Sequence, residues 1–304
     1  MRRPAALLPA LTATALLLTA CGTERATPGN TDAPVSVPSS RAQTDDPGMD
    51  DVRITSLTLP STTDSTDSTV SRDSTDSEAV AAYEVTNEGT ETLTYSIVIT
   101  FTSSDGGAMS NRTATVRDVR PGKTVRGTVR AEELPPGAPR VTRAKVLRVS
   151  KVPAREAPAE PGTCPTSGIR VSADQGDAAM GLRVVGLHLD NCGTRDYTVE
   201  GYPLLELLDG DLEPVHGIKI LHGSGDITTG VGPDEQPRPV TLEPGESATA
   251  GLVWRNTTGS GTSVNVPHVR IRAKPGADPV TVTPHLDLGT TGKLGVKPWT
   301  KTEP

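Results

Sequence analysis

The sequence predicts an all-β protein: two immunoglobulin-like antiparallel β-sandwich domains after a signal peptide and a disordered tether. Three observations carry this. Short segments alternate apolar and polar residues at period two, the pattern of half-buried strands. Turn signals rich in Gly, Pro, Asn and Asp separate those segments. The 304 residues include 30 Gly and 27 Pro, too many helix breakers for a bundle.

The first strands lie in residues 51–153, read as one domain. In Thr92–Phe101, Leu93, Tyr95, Ile97, Ile99 and Phe101 fall on one face, and Thr and Ser dominate the other. Lys123–Ala131 alternates in the same way. Further candidates are Val52–Leu59, Ala79–Thr86, Ser110–Val119 and Val141–Val152. Asn87-Glu88-Gly89, Asp105-Gly106-Gly107, Pro121-Gly122 and Pro135-Pro136-Gly137 supply the turns. Six or seven short strands in about 100 residues fit an immunoglobulin-like sandwich. The arginines on these strands read as a solvated face. An acidic Ser/Thr/Asp run, 61–78, reads as a loop inside this domain. Residues 154–162, AREAPAEPG, read as a Pro-rich linker. The second domain is then 163–304. Gly181–Leu189 and Ala248–Trp254 alternate there, with Tyr197–Leu208, Val240–Leu242, His268–Ala273 and Val280–Thr283 as further strand regions.

An internal repeat relates the two domains. Asn87-Glu88-Gly89-Thr90 reappears as Asn191-Cys192-Gly193-Thr194, 104 residues later. A Tyr-bearing strand follows each motif. Each domain then has a Pro-Gly turn before an alternating strand: Pro121-Gly122-Lys123-Thr124 and Pro244-Gly245-Glu246-Ser247. The repeat implies similar topology and no shared ligand.

The N-terminus carries the location signal. Arg2 and Arg3 precede an apolar stretch, Ala5–Ala20, that is short for a membrane span. It ends in Leu18-Thr19-Ala20-Cys21-Gly22, which resembles the bacterial lipobox. That resemblance implies a lipoprotein signal peptide over 1–20, cleavage before Cys21, and a diacylglyceryl group on the Cys21 thiol. Each buried CH₂ contributes roughly 0.8 kcal/mol, so two acyl chains anchor stably. Residues 21–50 are mostly Thr, Pro, Ser, Asp and Gly and read as a disordered tether. The expected location is the extracytoplasmic face of the cell membrane. The bias toward Ala, Gly, Pro, Thr and Arg suggests a GC-rich bacterium, and an actinobacterium is the expectation.

With Cys21 used by lipid, Cys164 and Cys192 remain. In an exported chain they are read as a disulfide closing a 28-residue loop, for about 3.5 kcal/mol in the chain-entropy model. Two free thiols or a two-Cys metal site are the alternatives.

The second domain resembles an actinobacterial family of secreted and lipid-anchored proteins, catalogued as domain of unknown function 4232. The resemblance rests on Cys164, Asn191-Cys192-Gly193, Tyr197, Gly201-Tyr202-Pro203, Pro244-Gly245-Glu246, Trp254-Arg255-Asn256, Leu286–Gly292 and Trp299. It implies a β-sandwich behind a lipobox and a Thr/Pro-rich tether, and no activity. Many members place a Cys just before the Gly-Tyr-Pro strand, where this chain has Tyr197.

Chemistry is sparsely signalled. A formal net charge of −7 disfavours nucleic acid. His222-Gly223-Ser224-Gly225-Asp226 has the residue types of a nucleophilic site but no nucleophile-elbow spacing, and reads as a Gly-rich loop. His188, His216, His222, His268 and His285 lack metal-site spacing. Trp254 reads as core, and Trp299 as either a staple for the tail or an exposed contact. The expectation is a non-enzymatic surface protein, without cofactor or metal, that binds or scaffolds a protein or envelope polymer. A small-ligand or metal-binding lipoprotein and an unrecognised hydrolase are the alternatives. Metal loss on His222→Ala or His216→Ala separates the first, and a reactive Ser224 the second.

Overall fold

The computed structural model describes residues 41–42, 46–60, 78–135, 137–232 and 234–303. The expected signal peptide, Cys21, most of the tether and residues 61–77 of the acidic run lie outside them. The described residues form an all-β fold with no α-helix.

The first half contains β1 (Arg41–Ala42), β2 (Val52–Thr58), β3 (Val80–Thr86), β4 (Leu93–Thr102), β5 (Ala108–Val119), β6 (Thr124–Arg130) and β7 (Arg143–Pro153). They make two antiparallel sheets, β1-β2-β3-β6 and β5-β4-β7. The alternation in β4 works as expected. Tyr95, Ile97, Ile99 and Phe101 are fully buried, and they join Val52, Ile54, Ala81, Tyr83 and Val85 of the other sheet in one core. Pairing begins upstream of residue 51, inside the expected tether: Arg41 and Ala42 pair with Thr58 and Leu57, and Met49 bridges Val52.

The second half contains β8 (Ile169–Ala173), β9 (Asp177–Ala179), β10 (Leu182–Asn191), β11 (Tyr197–Glu200), β12 (Leu204–Leu208), β13 (Lys219–His222), β14 (Pro239–Leu242), β15 (Ser247–Arg255), β16 (Asn265–Val266), β17 (His268–Arg272), β18 (Val280–Val282), β19 (Leu286–Asp287) and β20 (Lys293–Lys301). The largest sheet runs β13-β20-β15-β10-β8, with β9 also on β10. It is antiparallel except for β13 on β20, which is parallel. Smaller sheets pair β12-β17-β18, β11-β14 and β16-β19.

A second core fills this half, built on Leu187, Leu189, Leu252, Ile271, Trp254 and Trp299. Both indoles are buried and both N–H groups are used. Trp254 donates to Asp287 at 2.8 Å and Trp299 to the Ala273 carbonyl at 3.0 Å. Trp299 therefore staples a strand, not a loose tail. Periodicity did not flag β20, because Gly295, Lys297 and Pro298 interrupt its alternation.

The repeat motif is a structural device. Asn87 is fully buried in a turn. Its amide donates to the carbonyls of Glu91 (2.8 Å) and Val119 (2.6 Å), and its side-chain oxygen accepts from the Gly89 N–H (2.9 Å). Its backbone N–H donates to Lys123 and its carbonyl accepts from Gly122. Asn191 repeats every contact. Its amide donates to Arg195 (2.9 Å) and Leu242 (2.8 Å), its side-chain oxygen accepts from Gly193 (3.2 Å), and its backbone pairs with Glu246 and Gly245. One buried amide thus latches the Asn-x-Gly-Thr turn to the Pro-Gly turn, with every polar group satisfied. Gly122 and Gly245 sit at φ of 67° and 90°, a conformation that favours glycine. The strands that leave each latch pair in matching register, Thr86 with Thr124 and Asp190 with Ser247.

The expected linker is docked. Residues Ala154–Glu156 form a 3-10 turn that buries the Glu156 carboxylate. Glu156 accepts from Arg270 Nε at 2.7 Å and from the Thr281 hydroxyl at 2.9 Å. A buried carboxylate needs such partners to offset desolvation.

Candidate functional site

The disulfide is formed. Cys164 and Cys192 are joined, with Cα atoms 5.7 Å apart. The latch puts Cys192 on its turn, and the Gly193 and Gly168 backbones approach closely enough for the bridge to close. Its place is structural, at the end of β10.

The Ser-containing loop is also structural. Ser224 is buried, and its hydroxyl donates to Asp234 at 2.8 Å. The Ser224 and Gly225 backbone N–H groups donate to the same carboxylate. Burial alone would raise the Asp234 carboxyl, but these donors and Lys297 keep it below the usual carboxylate range. Asp234 lies ten positions from Ser224, so no local motif marks the pair. His222 ends β13 with its ring stacked on Tyr202, centroids 4.0 Å apart. Among the described residues no three His, Cys, Asp or Glu side chains converge as metal ligands.

The structure brings together a different set. The outer face of sheet β5-β4-β7 carries Thr94, Ser96, Thr113, Thr115, Arg117 and Arg148. Opposite stand 172–175, at the end of β8 and just beyond it, and 281–285, from β18 onward. Between them lies a groove of about 630 Å³. Hydroxyls from three strands line one wall, because period-two alternation sends the apolar partners into the core. Arg148 adds positive charge, and Arg117 is paired with Glu160 at 3.0 Å. On the far wall, Asp174 carries the opposite charge.

Among the described residues a side-chain bond crosses the groove. Ser150 Oγ, on β7, and His285 Nε2 lie 3.2 Å apart. His285 sits at φ 51°, with its backbone N–H on the Pro267 carbonyl. Burial pushes its imidazole down to about 4, and the charge of Arg148 and the nearby His268 add to this. A Ser–His contact has the outline of a nucleophile and its base, but a ring this reluctant to take a proton is a weak base near neutral pH. It does act as a neutral hydrogen-bond partner joining the two halves. His268 is also buried, with Nδ1 on the Asp209 carbonyl at 2.9 Å and Nε2 unpartnered.

Two sandwich cores in one all-β chain, with a polar groove between them, define a β-sandwich protein. Residues 164–300, from the disulfide cysteine through most of β20, match the family described as Domain of unknown function (DUF4232). The match covers the second core and bears out the resemblance read from Cys164, Asn191, the Gly-Tyr-Pro segment and Trp299. No curated protein matches the chain.

Proposed function

We propose that the protein is a non-catalytic binding or scaffold module, anchored by lipid on Cys21 at the extracytoplasmic face of an actinobacterial cell membrane. The observation that carries the binding role is the groove. Its hydroxyl rows and the guanidiniums of Arg117 and Arg148 suit a hydroxyl- or carboxylate-bearing partner, such as an envelope polymer or a protein loop. The lipobox-like Leu18–Gly22 supports the anchor, and the net charge of −7 speaks against nucleic acid as partner.

Two measurements test this. Cys21→Ala is expected to release the protein from the membrane fraction or block its processing. Unchanged fractionation, with no lipid mass on the N-terminal peptide, would rule out the anchor. A photo-crosslinking residue at Thr113, used on intact cells, is expected to capture an envelope component. Capture should fall when Arg117 and Arg148 are replaced by alanine. Equal capture from Met180, a fully exposed position away from the groove lining, would overturn the groove as binding surface.

A further inference from the structure

The two halves share a strand frame but finish it differently. In the frame of the latch, β3 and β6 of the first half occupy the places of β10 and β15 in the second. In the second half, β20 covers the outer edge of β15. In the first half the last strand, β7, pairs with β4 instead, and among the described residues β6 is paired on one side only.

The backbone direction follows from two bonds. Asn87 N–H donates to the Lys123 carbonyl, and Ala131 N–H donates to the Ala79 carbonyl. Both fit the β3–β6 register, which has no bulge. Antiparallel ladders alternate, so the odd residues from 123 to 131 bond toward β3. The N–H and C=O groups of Thr124, Arg126 and Thr128 therefore point outward. The second half shows what such an edge accepts. Ser247, the counterpart of Thr124, receives the Thr302 N–H at 2.9 Å from the chain continuing β20.

The side chains select the occupant. Arg126 stands on the solvent face with its side chain 80% exposed, touching Glu84, and Lys123 precedes the strand. On the other face Val125 is 37% exposed, an apolar position that the sheet leaves partly uncovered. Two copies of β6 would gather the arginines of both on one face, so self-pairing is disfavoured. An incoming strand that alternates acidic and β-branched residues would meet Arg126 with a carboxylate and cover Val125.

We propose that the outer edge of β6 from Thr124 to Thr128, unpaired among the described residues, is a strand-addition site for an extended acidic polypeptide segment of a partner protein, continuing the sheet antiparallel to β6. Main-chain bonds supply affinity and the basic face supplies selectivity. The opposing reading is that Arg126 merely guards the edge against pairing.

The test uses the whole chain and a nine-residue synthetic peptide alternating glutamate and valine, with a lysine–valine peptide as control. In the free protein, hydrogen exchange at the Arg126 and Thr128 amides should be fast, and at Gly127 and Val129 slow. Saturating acidic peptide should slow the outward amides about tenfold or more, and the lysine peptide should not. Thr128→Pro removes one outward donor and leaves the ladder to β3 intact, a substitution that sheet edges tolerate. It should weaken binding about tenfold while the inward amides stay protected. Arg126→Glu, the second variant, should transfer the preference to the lysine peptide. Outward amides already protected in the free protein would show that the chain itself covers the edge and overturn the proposal. So would unchanged exchange with peptide, or equal binding to both peptides.

Discussion

The two halves share one latch and differ in how much is built on it. Asn87 and Asn191 make the same five kinds of contact, over turns of nearly the same sequence. The second half adds a disulfide on the residue next to the latch, a strand covering β15, and two buried tryptophans. Among the described residues the first half has none of these and relies on the apolar core around β4. A buried, fully bonded amide can thus set the topology of a small sandwich, and the additions set its margin of stability.

The disulfide should give the largest difference. Replacing Cys164 and Cys192 by serine should cost the second half about 3.5 kcal/mol by release of loop entropy, with no effect on the first. Both tryptophans belong to the second core, so their fluorescence in a denaturant titration reads that half alone. Exchange at β4 amides reads the other half. A matching loss at β4 would show that the halves unfold as one unit.

Removing the latch comes next. Asn87→Ala and Asn191→Ala each strand two carbonyls and one N–H, for about 3 kcal/mol in the affected half. Similar losses in the two halves, seen by the same probes, support one shared device. A loss confined to one half would mean that the likeness is geometric only.

A smaller effect follows from size exchange at matched positions. Tyr83 lies across from Gly127, and their counterparts are Leu187 and Ala250. A Cβ at Gly127 would meet the Tyr83 ring, with the Cζ atom at 2.6 Å. Gly127→Ala should therefore cost about 1–3 kcal/mol by overpacking. Adding Tyr83→Leu should recover part of it in a double-mutant cycle, because the pair then matches the second half. Additive losses would contradict the pairing.

The pH response should be smallest. His285 titrates near 4 when folded, against 6.5 for the free ring, and His268 is lowered in the same direction. Between these values the unfolded chain binds more protons than the folded one. Stability is therefore complete above about pH 6.5 and is lost as pH falls toward 4. Arg148 faces the same ring, so a proton there adds like charge beside the bond to Ser150. Unfolding midpoints at pH 7 and pH 5 check this, and His285→Gln should reduce the difference. An unchanged difference would place the effect at His268 or elsewhere.

Much of this architecture is legible in the chain. Six strand segments in the first half fall within a few residues of their alternating runs, because one face of each meets a core and the other meets polar surroundings. The latch shows as Asn-x-Gly-Thr paired with Pro-Gly, since few residues other than Gly take the backbone angles that the second turn needs. Two cysteines left after the lipobox cysteine point to the bridge that the structure contains. The short strands β9, β13, β16 and β19 carry too few residues for a period to show.

Local pattern therefore pointed to the longer strands, the turns and the favoured cysteine pairing, because each depends on neighbouring residues or on simple counting. The groove, the Ser150–His285 bond, the Glu156–Arg270 pair and the outer edge of β6 could not be read this way. The two bonds join residues 135 and 114 positions apart. The last strand of the second half covers β15, whereas that of the first half turns to β4. That choice is made only when the whole chain is folded.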